Sequence, residues 1–93
     1  MYQLEYSRSA WKALQSMPRN IALLIVEKLA SLAQSPMDSP NVKKLAGRPG
    51  YRLRVGDWRI IYELEQKPLP EESERTILVV TVLAIAPRGG VYQ

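Results

Sequence analysis

The spacing of apolar residues changes character along the chain, and each change predicts an element. Tyr2-Gln3-Leu4-Glu5-Tyr6 alternates apolar and polar, which predicts an opening strand with Tyr2, Leu4 and Tyr6 on its buried side. From Ala10 the spacing becomes helical. Ala10, Ala13, Leu14 and Met17 share one face, and Ser7 or Ser9 stands where a helix needs its N-cap. Pro18, tolerated in a first helical turn, opens a second helix over 19–34. Its stripe is Ile21, Leu24, Ile25, Leu29 and Leu32, widened by Ala22, Val26 and Ala33. Two such helices in succession predict a helical hairpin folded back on a sheet.

Ser35-Pro36-Met37-Asp38-Ser39-Pro40-Asn41 is rich in turn formers and starts a connection. The basic, Gly-punctuated run Val42-Lys43-Lys44-Leu45-Ala46-Gly47-Arg48-Pro49-Gly50 then delivers the chain to its central stretch. That stretch, residues 51–64, reads as two alternating strands joined at Gly56-Asp57, and a two-residue loop with Gly first suits a type II′ hairpin. Register follows from the loop: Val55 faces Trp58, Arg54 faces Arg59, Leu53 faces Ile60, Arg52 faces Ile61 and Tyr51 faces Tyr62. With a side-chain period of two, Arg52, Arg54 and Arg59 share one face, while Leu53, Val55, Trp58, Ile60 and Tyr62 share the other.

Residues 65–75 hold two prolines and four acids and predict a mobile loop between neighbouring strands. The run from Thr76 to Ala86 is almost wholly apolar, which predicts an inner strand covered on both faces, ended by Pro87 and followed by a tail over 88–93. The pattern amounts to one domain over 1–93, with the helical hairpin folded back on a sheet.

Charge changes the picture most at the hairpin. Like charges directly across a strand pair cost from a few tenths up to ~1 kcal/mol, so Arg54 opposite Arg59 calls for either a bound anion or pairing with Glu63, Asp57 and other acids as a solvated face. Guanidinium groups match phosphate oxygens in a bidentate fork and stay charged at physiological pH. Glu63, opposite Gly50, is the only acid on this face of the hairpin. The net charge of +4 and a pI near 9.6 favour nucleic acid or an acidic protein as partner. With no Cys and no His, the chain lacks disulfides, thiolate chemistry, the usual zinc ligands and the usual general base. The N-terminus lacks the regions of a signal peptide, and the longest apolar run is too short to span a bilayer, so a soluble cytoplasmic protein is expected. Trp11 and Trp58 are expected to pack in the core.

The order strand, helical hairpin, Lys44-Leu45-Ala46-Gly47, hairpin 51–62, and an apolar strand ending near Arg88 and Val91-Tyr92 resembles the RelE/ParE superfamily of bacterial toxins over nearly the whole chain. The resemblance implies a microbial ribonuclease-like α+β fold, an antiparallel-dominated sheet of about four strands packed against the N-terminal helical hairpin, and a small neutralising antitoxin, RelB-like for a RelE-type member. RelE-type members cleave messenger RNA in the ribosomal A site; ParE-type members inhibit DNA gyrase. Carried over by position, Arg52 and Arg54 match the two basic residues on the first strand of the hairpin, and Arg59 the arginine on the second. Arg88 matches the arginine after the last strand, and Tyr92 the tyrosine that stacks on a base. Lys43, Lys44 and Arg48 add basic groups for RNA. The chain departs in having arginine where lysine is frequent at the first two positions, Pro87 before Arg88, and Gly89-Gly90 in place of a charged pair.

A ribonuclease needs a base for the ribose 2′-OH, charge stabilisation for the crowded phosphate and an acid for the leaving 5′-oxygen. Arg52, Arg54, Arg59 and Arg88 supply stabilisation but no base, since a guanidinium group only donates hydrogen bonds. Tyr92, Glu63 and Lys44 are the candidates for proton transfer, and no metal or cofactor is implied. Tyr92 beside Arg88 fits stacking on single-stranded RNA. The expected function is a ribosome-dependent messenger RNA endonuclease, the alternatives being a gyrase inhibitor or an inactive binding module of the same fold.

Overall fold

In the computed structural model, which describes residues 2–35, 41–69 and 71–87, the central hairpin sits inside a five-stranded sheet. The elements in chain order are β1 (Tyr2–Tyr6), α1 (Arg8–Ser16), α2 (Arg19–Gln34), β2 (Val42–Lys44), β3 (Tyr51–Val55), β4 (Trp58–Leu69) and β5 (Glu72–Pro87). Their order across the sheet is β1-β5-β4-β3-β2, with β1 parallel to β5 and every other pairing antiparallel. No helix is long and apolar enough to cross a membrane among the described residues.

Both helices cover one face of the sheet. Leu53, Val55, Ile60, Tyr62, Val80, Val82 and Ile85 meet Ala10, Leu14, Met17, Ile25, Leu29 and Leu32 in one core. Each fully buried Leu or Ile contributes roughly 1.5–3 kcal/mol, so this layer holds the helices to the sheet. Ser7 caps α1, its Oγ accepting from the Ala10 N–H at 3.1 Å.

The β3–β4 register is the one the two-residue loop predicts, from Val55–Trp58 at the turn to Tyr51–Tyr62 at the far end. Gly56 has φ +58 and no described non-glycine residue has positive φ, so Asp57 does not, as a type II′ turn requires. Gly50 enters the same strand with φ +111, and a Cβ there would stand 3.0 Å from the Tyr62 carbonyl oxygen. Only glycine lets β3 start this close to β4.

Four expectations need correction. The sheet has five strands rather than about four, because β2 forms where a connection was expected; three residues, two of them lysine, carry no apolar alternation to announce it. Residues 65–75 are not one mobile loop: β4 runs to Leu69 and β5 starts at Glu72. Pro68 is tolerated because β3 stops pairing with β4 at Tyr62, leaving the far edge of β4 open, and the ladder with β5 slips beside it. Trp11 is not a core residue; it is 53% exposed, its ring tilted against Tyr6 at 6.1 Å between centroids. Leu24 and Val26, placed on the buried stripe of α2, are also exposed. Trp58 does pack against the core.

Tyr62 carries a stability prediction. Its ring is fully buried and stacks on Tyr51 at 5.6 Å, while its hydroxyl is buried with no hydrogen-bond partner among the described residues. Burial first, then the neighbouring Tyr51, pushes its pKa well above the ordinary 10.0. A raised folded-state pKa means that stability is fully present below the unfolded value and is lost as pH rises past it. Tyr62→Phe removes both the orphan hydroxyl and this alkaline loss. We expect the variant to be as stable as the parent or up to ~1 kcal/mol more so at pH 7. By pH 11 the advantage should have grown by about 1.4 kcal/mol, since each pH unit passed above the unfolded pKa adds that much. Denaturant melts at the two pH values measure this, and a variant that is less stable at both would show that the hydroxyl has a partner.

Candidate functional site

Arginine-bearing strands and a short edge strand build one charged face on the side of the sheet away from the helices. Lys43 pairs with Arg52, Arg52 with Ile61 and Ile61 with Ala84, forming one row across β2, β3, β4 and β5. The adjacent row is Arg54, Arg59 and Ala86. Arg54 and Arg59 stand in a non-hydrogen-bonded pair, the closer kind, because the Arg54 N–H turns outward and donates to the Asn41 carbonyl at 3.1 Å. Their Cα atoms are therefore about 4.5 Å apart, and the two side chains leave the sheet together.

Burial grades the three arginines. Arg54 is exposed, whereas Arg52 and Arg59 are half-buried with their Nε atoms enclosed. Between them the plate has an apolar floor, since Ile61 on this face is only 2% exposed. An apolar floor lowers the local dielectric and strengthens the field that a phosphate would meet. At the hairpin tip Arg54, Gly56, Asp57 and Arg59 line a polar depression of about 270 Å³. A second, of about 370 Å³, is lined by Lys43, Lys44, Leu45, Ala46 and Arg52.

The remaining site residues fall as follows. Lys44 pairs with Tyr51, which puts its position on the face opposite Arg52, at the sheet edge. Arg48 is exposed in the loop between β2 and β3. Glu63 is on the arginine face, opposite Thr81, but four residues along β4 from Arg59, about 13 Å at the rise of a strand. Arg88 and Tyr92 lie outside the described residues. What sequence reasoning missed is the contribution of β5: Ala84 and Ala86 flank the plate, placed there by a slip in the β4–β5 ladder that an unbroken apolar run does not reveal.

A family model described as the ParE toxin of type II toxin–antitoxin systems (parDE) matches residues 4–87. The chain belongs to this toxin family. Its solved neighbours are RelE toxins. A RelBE toxin–antitoxin complex from Mycobacterium tuberculosis superposes with a TM-score of 0.68 at 21% identity, covering 94% of this chain and 98% of that one. The intact RelBE complex from E. coli gives 0.66 at 22%, covering 94% and 96%. An archaeal RelE–RelB complex from Pyrococcus horikoshii OT3 gives 0.66 at 29%, covering 96% and 97%. No curated protein matches the chain. The protein is thus a type II toxin with the RelE/ParE fold: two helices on a mostly antiparallel sheet.

Proposed function

We propose that this toxin is a ribosome-dependent endoribonuclease that cuts messenger RNA in the A site and so stops translation. The observation that carries the reading is the Arg54–Arg59 cross-strand pair on an apolar floor, with Arg52 one row away. Two guanidinium groups set directly across a strand pair are a poor choice for stability and a good one for a phosphate whose charge builds in the transition state. Arg88 supplies a further positive group and Tyr92 stacks on a base, on the strength of the positional resemblance. Lys43, in the row of Arg52, and Arg48 extend the basic track for the RNA backbone, and Lys44 adds charge at the sheet edge. Among the described residues the arginine rows of the plate hold no group suited to take the 2′-OH proton at neutral pH. The toxin therefore depends on the ribosome to hold the message in a reactive geometry, and is slow on free RNA.

The second reading, inhibition of DNA gyrase, is favoured by the match to the ParE family model. Toeprinting on programmed ribosomes tests the first, with a new 3′ end expected within the A-site codon only when toxin is present. A gyrase supercoiling assay tests the second. Intact messages together with arrested gyrase would replace the ribonuclease by the gyrase inhibitor.

The neutralising partner is a small RelB-like antitoxin, as in the neighbouring RelB–RelE complexes. Trp11, Leu14 and Gln15 of α1 and Arg19, Ala22, Leu23 and Val26 of α2 line an apolar groove of about 210 Å³. The two helices carry Arg8, Lys12, Arg19 and Lys28 against the single acid Glu27. An amphipathic antitoxin helix with acidic flanks fits both the apolar surface and its charge.

A further inference from the structure

Strand β1 ends at Tyr6, opposite Val82, and beyond that point β5 has no strand on this side among the described residues. The first turn of α1 takes the strand's place. The Ser7 N–H donates to the Val82 carbonyl at 2.9 Å, and the Ser7 hydroxyl donates to the Leu83 carbonyl at 2.7 Å. Ser9 Oγ reaches the same carbonyl at 3.3 Å. Leu83 is where the β4–β5 register slips: Tyr62 pairs with Val82 and Ile61 with Ala84, so Leu83 is the extra residue of a bulge. The slip inverts which residues of β5 meet the plate. Below it Val79 and Thr81 pair with Glu65 and Glu63; above it Ala84 and Ala86 pair with Ile61 and Arg59, and Ile85 turns into the core. Without the bulge, Ile85 would stand on the arginine face and the two alanines in the core.

We propose that Ser7 is a positioning residue for the arginine plate. Its hydroxyl ties the α1 cap to the bulge carbonyl and so holds the last stretch of β5 in the phase that sets two small side chains beside Arg59 and Ile61. The proposal rests on reading the plate as the phosphate site. A hydroxyl suits this double task because it accepts from the Ala10 N–H while donating to Leu83, whereas a carboxylate only accepts.

That difference supplies the test. In the intact chain, Ser7→Asp keeps a good N-cap but cannot donate to the carbonyl, and Ser7→Thr keeps both bonds. Ser7→Asp should melt close to the parent. Its amides at Ala84 and Ala86 should nevertheless exchange about tenfold faster, with Val80 unchanged, because one local hydrogen bond is lost. Single-turnover cleavage of message on saturating programmed ribosomes should fall about tenfold or more, since small misplacements of binding groups are costly. Ser7→Thr should match the parent in exchange and cleavage. Parental exchange and cleavage in Ser7→Asp would reduce Ser7 to a helix cap. Faster exchange with parental cleavage, beside an inactive Arg59→Ala, would show that the plate does not depend on the latch. If the parent itself does not cleave, the ribonuclease reading falls separately. The Arg59 Nε–H resonance then decides: a shift in Ser7→Asp supports the latch, and an unmoved signal overturns it.

Discussion

Alanine at Arg54 or at Arg59 is expected to slow cleavage of ribosome-bound message by a factor of ~10²–10³, or ~2.7–4 kcal/mol, the usual cost of removing one charge donor from an oxyanion-type site. The fold should survive both changes. Arg54 is exposed and faces away from the core, and removing it relieves the like-charge contact with Arg59, so the variant should melt at or slightly above the parent's temperature by up to ~1 kcal/mol. Arg59 is half-buried, so its loss removes some packing of the stem as well as charge, and its melt should be slightly lower. Lysine at either position keeps the charge but not the fork, and its rate should lie between parent and alanine. The paired measurements are toeprinting and thermal unfolding. A toxin with both arginines replaced that still cuts at the parental rate would remove the plate from the mechanism.

How far the sequence foretells this molecule depends on where the pattern has a period. The central hairpin was legible to the residue, because a two-residue loop pins the register and alternation then assigns every side chain to a face. The three arginines of the plate followed from that. Where the pattern is uniform, the reading ran out. The run 76–86 is apolar nearly throughout, so it announces a buried strand but not its phase, and the slip at Leu83 that brings Ala84 and Ala86 to the plate left no trace. Composition misled over 65–75, where acids and prolines suggested a loop while ladder bonds to β5 kept the chain extended. The three-residue β2 is short enough that only its partner defines it. Trp11 is the instructive case: its position lies off the apolar stripe of α1, and only the size of the ring argued for the core.

That exposed ring leads to the second large effect. Leu23→Asp is expected to weaken antitoxin binding by ~2 kcal/mol or more, roughly 30-fold, and Trp11→Ala by a similar amount, as for central apolar anchors of an interface. Leu23 is 57% and Trp11 53% exposed, so both changes should leave the toxin folded and its cleavage of ribosome-bound message unaltered. Groove and plate lie on opposite sides of the molecule, since the helices cover the face of the sheet that Arg52, Arg54 and Arg59 leave. In cells the variants should therefore escape neutralisation and be more toxic beside the antitoxin than the parent is. Salt separates the two ways an antitoxin can act. Affinity that falls steeply from low to high salt marks contact with the arginines, and affinity that changes little marks packing on the helices. Parental affinity in both groove variants, combined with a steep salt dependence, would move the antitoxin off the helices and onto the plate itself.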